Sequence, residues 1–213
     1  KSIKDRIYFE LNIKGNIYKF NSKLIGNYNI YNLVCSIALL NEMNIDINKI
    51  ITTIEILNSP PGRMDIIKYN TNTIIIDYAH TPDAMKNIYA TINDIEKQNI
   101  YTEFGCTGNR DRTKRPIMMD IACVNSKLAI ITSDDLHNEE FDSILKDMLN
   151  GNSKTNYEVI EDRKKAIEKG ISLLSENDIL LILGKGHEES IIVKDEKIPF
   201  NDKKIVENIL MKI

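Results

Sequence analysis

Cysteine is scarce and unpatterned. Cys35, Cys106 and Cys123 show neither the paired spacing of a disulfide framework nor that of a metal site, so a reducing, cytoplasmic setting is expected. Histidine is equally sparse: His80, His137 and His187 support no Ser-His-Asp order and no zinc-ligand spacing, which argues against hydrolase and zinc chemistry. No apolar run approaches the roughly 20 residues that span a bilayer, and no signal-peptide pattern is found. Basic excess is missing too. A formal net charge of -3 at pH 7 argues against a protein that coats nucleic acid. Neither nucleic acid nor a membrane is an expected partner, and a monomer is expected. What the 213 residues do hold is 42% hydrophobic and 28% charged, the balance of a globular chain that buries a core. Because the first residue is Lys1, the chain is expected to begin inside a longer protein.

The pattern changes along the chain. Arg6 to Ile13 and Asn16 to Phe20 alternate about Lys14-Gly15-Asn16, which predicts a β-hairpin. A helix is expected from Gly26-Asn27 to about Met43, with Ile30, Val34, Ile37 and Leu40 on one face, and a second from about Ile47 to Leu57. Ser59-Pro60-Pro61-Gly62 is the best linker in the sequence. Beyond it, apolar strands near Thr73–Tyr78, Ile100–Gly105, Leu128–Thr132, Tyr157–Ile160 and Asp178–Leu183 alternate with amphipathic helices near Pro82–Glu96, Lys114–Asn125, Glu139–Leu149, Arg163–Ser175 and Asp202–Lys212. That alternation implies an α/β fold: a mainly parallel sheet with helices on both faces. Ile191-Ile192-Val193 follows Leu183 too closely for a helical crossover and is expected to be an antiparallel edge strand.

Ligands of such sheets sit beyond the carboxyl ends of the strands, and the distinctive residues fall there. Asp77-Tyr-Ala-His80 follows the first strand, Gly105–Arg115 the second, Ser133–His137 the third and Gly184-Lys-Gly-His-Glu188 the last. Glycines at a strand-to-helix turn allow close backbone approach to an anion, and Arg110, Arg112, Lys114 and Arg115 add cations to that field. Asp77 can accept ribose hydroxyls or merely cap a helix. His80 can meet a base, and Glu188 can bind an ammonium. His187 by itself reads as structural.

The strings Asn29-Ile-Tyr-Asn32, Pro61-Gly-Arg63, Asp77-Tyr-Ala-His-Thr-Pro-Asp83, Gly105-Cys-Thr-Gly-Asn-Arg-Asp-Arg-Thr-Lys-Arg115, Asp162-Arg163 and Gly184-Lys-Gly-His-Glu188 occur here in the order found in Mur ligases. They look most like the UDP-N-acetylmuramoyl-tripeptide synthetase branch, which adds the third residue of the peptidoglycan stem peptide. The resemblance implies that residues 1–59 are the tail of a central ATPase domain and residues 60–213 a Rossmann-like, amino-acid-binding C-terminal domain. It places ATP at Asn32 (adenine), Arg63, Asp77 and His80. It places the incoming amino acid at Arg110, Asp135, His137, Gly184 and Glu188, and it implies Mg2+ in the intact enzyme.

This chain departs from the family in lacking a Gly-x-x-x-x-Gly-Lys-Ser/Thr phosphate loop. The fragment alone is therefore expected to bind no nucleotide or metal well and to be inactive. Two alternatives stay open: a folylpolyglutamate synthetase-like ligase, and a non-catalytic nucleotide- or amino-acid-binding module of the same fold. The family's diaminopimelate-adding members carry Asp-Asn-Pro-Arg where this chain has Asp134-Asp135-Leu136-His137. Histidine cannot reproduce a guanidinium fork, and Asp135 and Glu188 add negative charge. The expected partners are thus UDP-N-acetylmuramoyl-L-Ala-D-Glu and a diamino acid, with L-lysine or L-ornithine favoured over meso-diaminopimelate.

Overall fold

The computed structural model describes residues 6–93, 98–194 and 196–213. The chain divides into two compact units, Lys1–Pro60 with Asn87–Glu96, and Pro61–Lys86 with Lys97–Ile213.

In the first unit, β1 (Ile7–Ile13) pairs antiparallel with β2 (Asn16–Ser22). Lys14 and Gly15 both take positive φ, the turn whose twist suits a two-residue hairpin. Phe9 lies opposite Phe20 in the register, and their rings stack at 5.1 Å. Helix α1 (Asn27–Glu42) begins at Gly26, and α2 (Ile47–Ile56) begins at Asp46, whose carboxylate accepts the Asn48 N–H. Phe20, Leu24, Leu33, Ile37, Ile50 and Ile54 form the core. Leu33 replaces Val34 at the centre of the α1 face, since Val34 is only half-buried.

The second unit holds a six-stranded sheet in the order β3-β4-β8-β5-β6-β7: β3 Asp65–Tyr69, β4 Asn72–Asp77, β5 Ile100–Phe104, β6 Leu128–Ile131, β7 Tyr157–Val159 and β8 Ile179–Leu183. All pairings are parallel except β3 with β4. Strands β4, β5 and β8 are buried along their whole length, as both faces of a covered parallel sheet require. The connecting helices are α3 (Pro82–Asn93), α4 (Lys114–Asn125), α5 (Phe141–Leu149) and α6 (Arg163–Ser172), and α7 (Asp202–Leu210) follows. Right-handed crossovers put α6, which returns the chain from β7 to β8, on the face opposite α4 and α5. That face packs Ile74, Ile76, Tyr101, Leu180 and Ile182 against Ile167 and Ile171 of α6 and Val206 of α7.

The antiparallel edge strand exists, but not where the spacing placed it. Strand β9 (Ser190–Val193) forms its ladder with β10 (Glu196–Pro199), in a separate two-stranded sheet, and a single parallel bridge joins its Val193 to His137. The reason is topological: β8 is flanked by β4 on one side and β5 on the other, so the chain leaving Leu183 finds no open edge beside it. The edge is β3, whose signal is the Asn70-Thr71-Asn72 turn between two β-branched runs. The helix expected to reach Glu96 is seen to Asn93, and its last residues lie outside the described ones.

Candidate functional site

Because β4, β5, β6 and β8 run parallel, their carboxyl ends share one edge of the sheet, and the loops that leave them interlock. Gly62 sits at φ +66°, its α-carbon so close to the Gly186–His187 backbone that a Cβ would lie 2.1 Å from the His187 nitrogen. Its carbonyl accepts the Tyr78 N–H at 3.0 Å. A Cβ on Gly184, at φ +112°, would lie 2.5 Å from Asp134 Oδ2. These glycines are what allow three loops to meet backbone to backbone.

Asp77 ends β4 and is buried. Its Oδ2 accepts the Met64 N–H at 2.7 Å and its Oδ1 the Ala79 N–H at 2.8 Å. Burial pushes its carboxyl above the usual range, although those two donors and Arg63 pull it down. The next residue, Tyr78, is the hub that sequence reasoning missed. Arg63 lies 4.5 Å over its ring, His80 meets it edge-on at 4.7 Å between centroids, and His187 lies at 5.4 Å. Its hydroxyl donates to Glu188 Oε1 at 3.3 Å. Burial, then the charge of Glu188, raises the phenol. His80 Nδ1 lies 2.8 Å from the Tyr78 carbonyl, and the His80 carbonyl accepts from Lys114 Nζ at 3.2 Å. The signal for Tyr78 was present as the residue between Asp77 and His80. Its role depends on loops more than 100 residues away in sequence.

Lys185 is the second residue missed. It has no exposed surface, and its Nζ donates to Asp135 Oδ1 and to Glu188 Oε2, both at 2.8 Å, with Asp134 Oδ1 at 3.8 Å. Burial alone would lower its ammonium, yet the charges of Asp134, Asp135 and Glu188 outweigh that and raise it. Asp135 Oδ1 also accepts the Ile192 N–H at 2.8 Å. His137 takes φ +50° and joins the β9 region through its backbone, its N–H donating to the Ile192 carbonyl at 3.1 Å.

The arginine-rich loop divides by burial. Arg110 and Arg112 are exposed. Arg115 is fully buried: Nη1 and Nη2 meet both oxygens of Glu139 at 3.0 and 2.9 Å, Nη1 reaches Asp147 at 2.8 Å, and Nη2 reaches the Thr107 carbonyl at 3.2 Å. That fork holds Glu139 down at about 2 and ties the β5–α4 loop to α5. Beneath the site, Arg163 at the start of α6 grips both oxygens of Asp202 at 2.9 Å, the Leu183 carbonyl at 3.0 Å and Glu103 Oε1 at 3.1 Å. Asn32, by contrast, is exposed on α1 of the first unit, where its amide donates to Asn29 Oδ1 at 3.2 Å. The structure thus brings together Arg63, Asp77 and His80 around Tyr78, and Asp135, Gly184 and Glu188 around Lys185.

Among the described residues no group of three or more His, Cys, Asp or Glu is set to hold a metal. No helix among them is long and apolar enough to cross a membrane.

A doubly wound domain with polar loops converging on one sheet edge defines a ligand-binding class of protein. Residues 62–186 match the model of the Mur ligase, glutamate ligase domain, and the chain belongs to that family. It is 41% identical over 191 residues to a Clostridium botulinum UDP-N-acetylmuramoyl-L-alanyl-D-glutamate–2,6-diaminopimelate ligase, covering 88% of this chain and 40% of that one. The Aquifex aeolicus protein of the same name is 42% identical over 198 residues, covering 92% and 41%. A solved structure of a ligase with that name superimposes with a TM-score of 0.70 at 30% identity, covering 96% of this chain and 42% of the other. The chain spans about two fifths of the length of the curated relatives it matches.

The expectation of lysine or ornithine runs against these relatives, which are named for 2,6-diaminopimelate. The expectation counted Asp135 and Glu188 as free negative charges, but both already share the buried ammonium of Lys185.

Proposed function

We propose that this chain is the C-terminal part of an ATP-dependent ligase that joins a diamino acid to UDP-N-acetylmuramoyl-L-Ala-D-Glu in peptidoglycan synthesis. Residues 1–59 are read as the tail of the ATP-binding domain and 60–213 as the amino-acid-binding domain. In the intact cytoplasmic enzyme ATP phosphorylates the dipeptide carboxylate, and the amino acid's amine attacks that acyl phosphate, releasing phosphate as the amide forms. Asn32, Arg63, Asp77 and His80 take the nucleotide. Arg110, Asp135, His137, Gly184 and Glu188 take the amino acid, read as 2,6-diaminopimelate with the support of the relatives' names.

The observation that carries this reading is the pairing of two clusters on one sheet edge. An Arg63–Tyr78–His80 face offers aromatic and cationic surface to a nucleotide. The same Tyr78, together with Lys185, holds Glu188 beside Asp135. Asp77 fits as the residue that fixes this face, since both its oxygens hold backbone N–H groups of the loops that carry Arg63 and His80.

The test is ADP formation. The 213-residue chain, which carries no phosphate loop, should hydrolyse no ATP. A longer protein that adds an upstream phosphate-loop domain should form ADP only when the UDP-dipeptide and diaminopimelate are both present. ADP from the short chain, or none from the longer one with both substrates, would overturn the proposal.

A further inference from the structure

We infer that Lys185 is a positioning residue that sets the charge of the amino-acid site, an internal ammonium that lets the site accept a substrate bearing a second carboxylate. The inference rests on the proposed amino-acid site and deepens it. With no exposed surface, Lys185 cannot touch a substrate. It spends its donors inside the protein, at 2.8 Å on Asp135 Oδ1, 2.8 Å on Glu188 Oε2 and 3.8 Å from Asp134 Oδ1. Three carboxylates from the β6 and β8 loops converge on this one ammonium, and like charges this close repel strongly when partly desolvated.

Two consequences follow from the geometry. First, Lys185 orients both acids by tying one oxygen of each. The second Glu188 oxygen is left to the Tyr78 hydroxyl at 3.3 Å, and the Asp135 oxygen that Lys185 takes also accepts the Ile192 N–H at 2.8 Å. Second, it removes part of the negative field that a distal carboxylate would meet. Diaminopimelate and L-lysine both carry the distal ammonium, and only diaminopimelate adds a carboxylate beside it, so a less negative field favours diaminopimelate. The buried lysine therefore discriminates in favour of the acid-bearing substrate without contacting it.

The experiment compares kcat/KM for meso-diaminopimelate and for L-lysine in the longer enzyme that carries this chain. Unsubstituted enzyme should prefer diaminopimelate. Lys185→Gln should shift the ratio at least tenfold toward L-lysine, mainly through KM, while Lys185→Arg should keep the preference. If both rates fall together with the ratio unchanged, Lys185 is merely structural and the inference is overturned. Should Lys185→Gln fail to fold, Glu188→Gln supplies the second arm. It leaves the ammonium with less counter-charge and should move the ratio further toward diaminopimelate, and an unmoved ratio would equally sink the idea. An unsubstituted enzyme that uses neither amino acid refutes the site itself, a result distinct from a site that works without Lys185 setting its preference.

Discussion

Replacing Arg163 by methionine tests how the site is held up from below. Arg163 has no exposed surface, and its guanidinium is shared among both Asp202 oxygens, the Leu183 carbonyl and Glu103. Methionine fills most of the volume but leaves Asp202, itself fully buried, without its cation. Breaking a buried pair on one side costs about 3–5 kcal/mol. Glu103 loses the same cation, and burial already pushes its carboxyl well above the usual range.

The chain has two units, and a strand-resolved readout assigns the loss to one of them. Native-state hydrogen exchange at the amides of β8 isolates the right one, since that strand lies inside the six-stranded sheet. At about 1.4 kcal/mol per factor of ten, exchange there should accelerate by roughly two to three and a half orders of magnitude. Adding Asp202→Leu should recover most of the loss, because removing both members of a buried pair is often nearly neutral. Acceleration of less than about tenfold in Arg163→Met, or no recovery in the double variant, would refute the reasoning.

Acid sensitivity should trace to Glu139. Its folded carboxyl, held at about 2 by the Arg115 fork, lies below its ordinary value of 4.5. The pair's contribution is therefore full above pH 4.5 and lost as pH falls toward 2. In Tm measured from pH 6 to pH 2, Glu139→Gln should flatten the decline, and parallel curves would count against it. Gly62→Ala should cost roughly 2 kcal/mol or more, from the positive φ and the collision with His187, read as a fall in urea midpoint. A variant as stable as the parent would show that the Gly62–Gly186 contact can relax.

Much of the fold follows from periodicity alone. The hairpin around Lys14-Gly15 and, within the described residues, all five expected helix-strand alternations to within a few residues are local matters of turn chemistry and apolar spacing. The strand-end positions of Asp77, Asp135, Gly184 and Glu188 were equally legible, because a parallel sheet sends every such loop to one edge. Spacing alone leaves strand order undecided. That β8 inserts between β4 and β5, and so excludes β9 and leaves the edge to β3, depends on the return path of α6. Nor does sequence say which charges are free. Arg110 and Arg115 stand five residues apart in one basic loop, yet one is exposed and the other is buried against Glu139 and Asp147. Asp135 and Glu188 read as an open acidic pocket until Lys185 is found between them, 50 residues from the first and three from the second. A charge's partner is a property of three-dimensional proximity in a low-dielectric interior, and only the tertiary structure decides it.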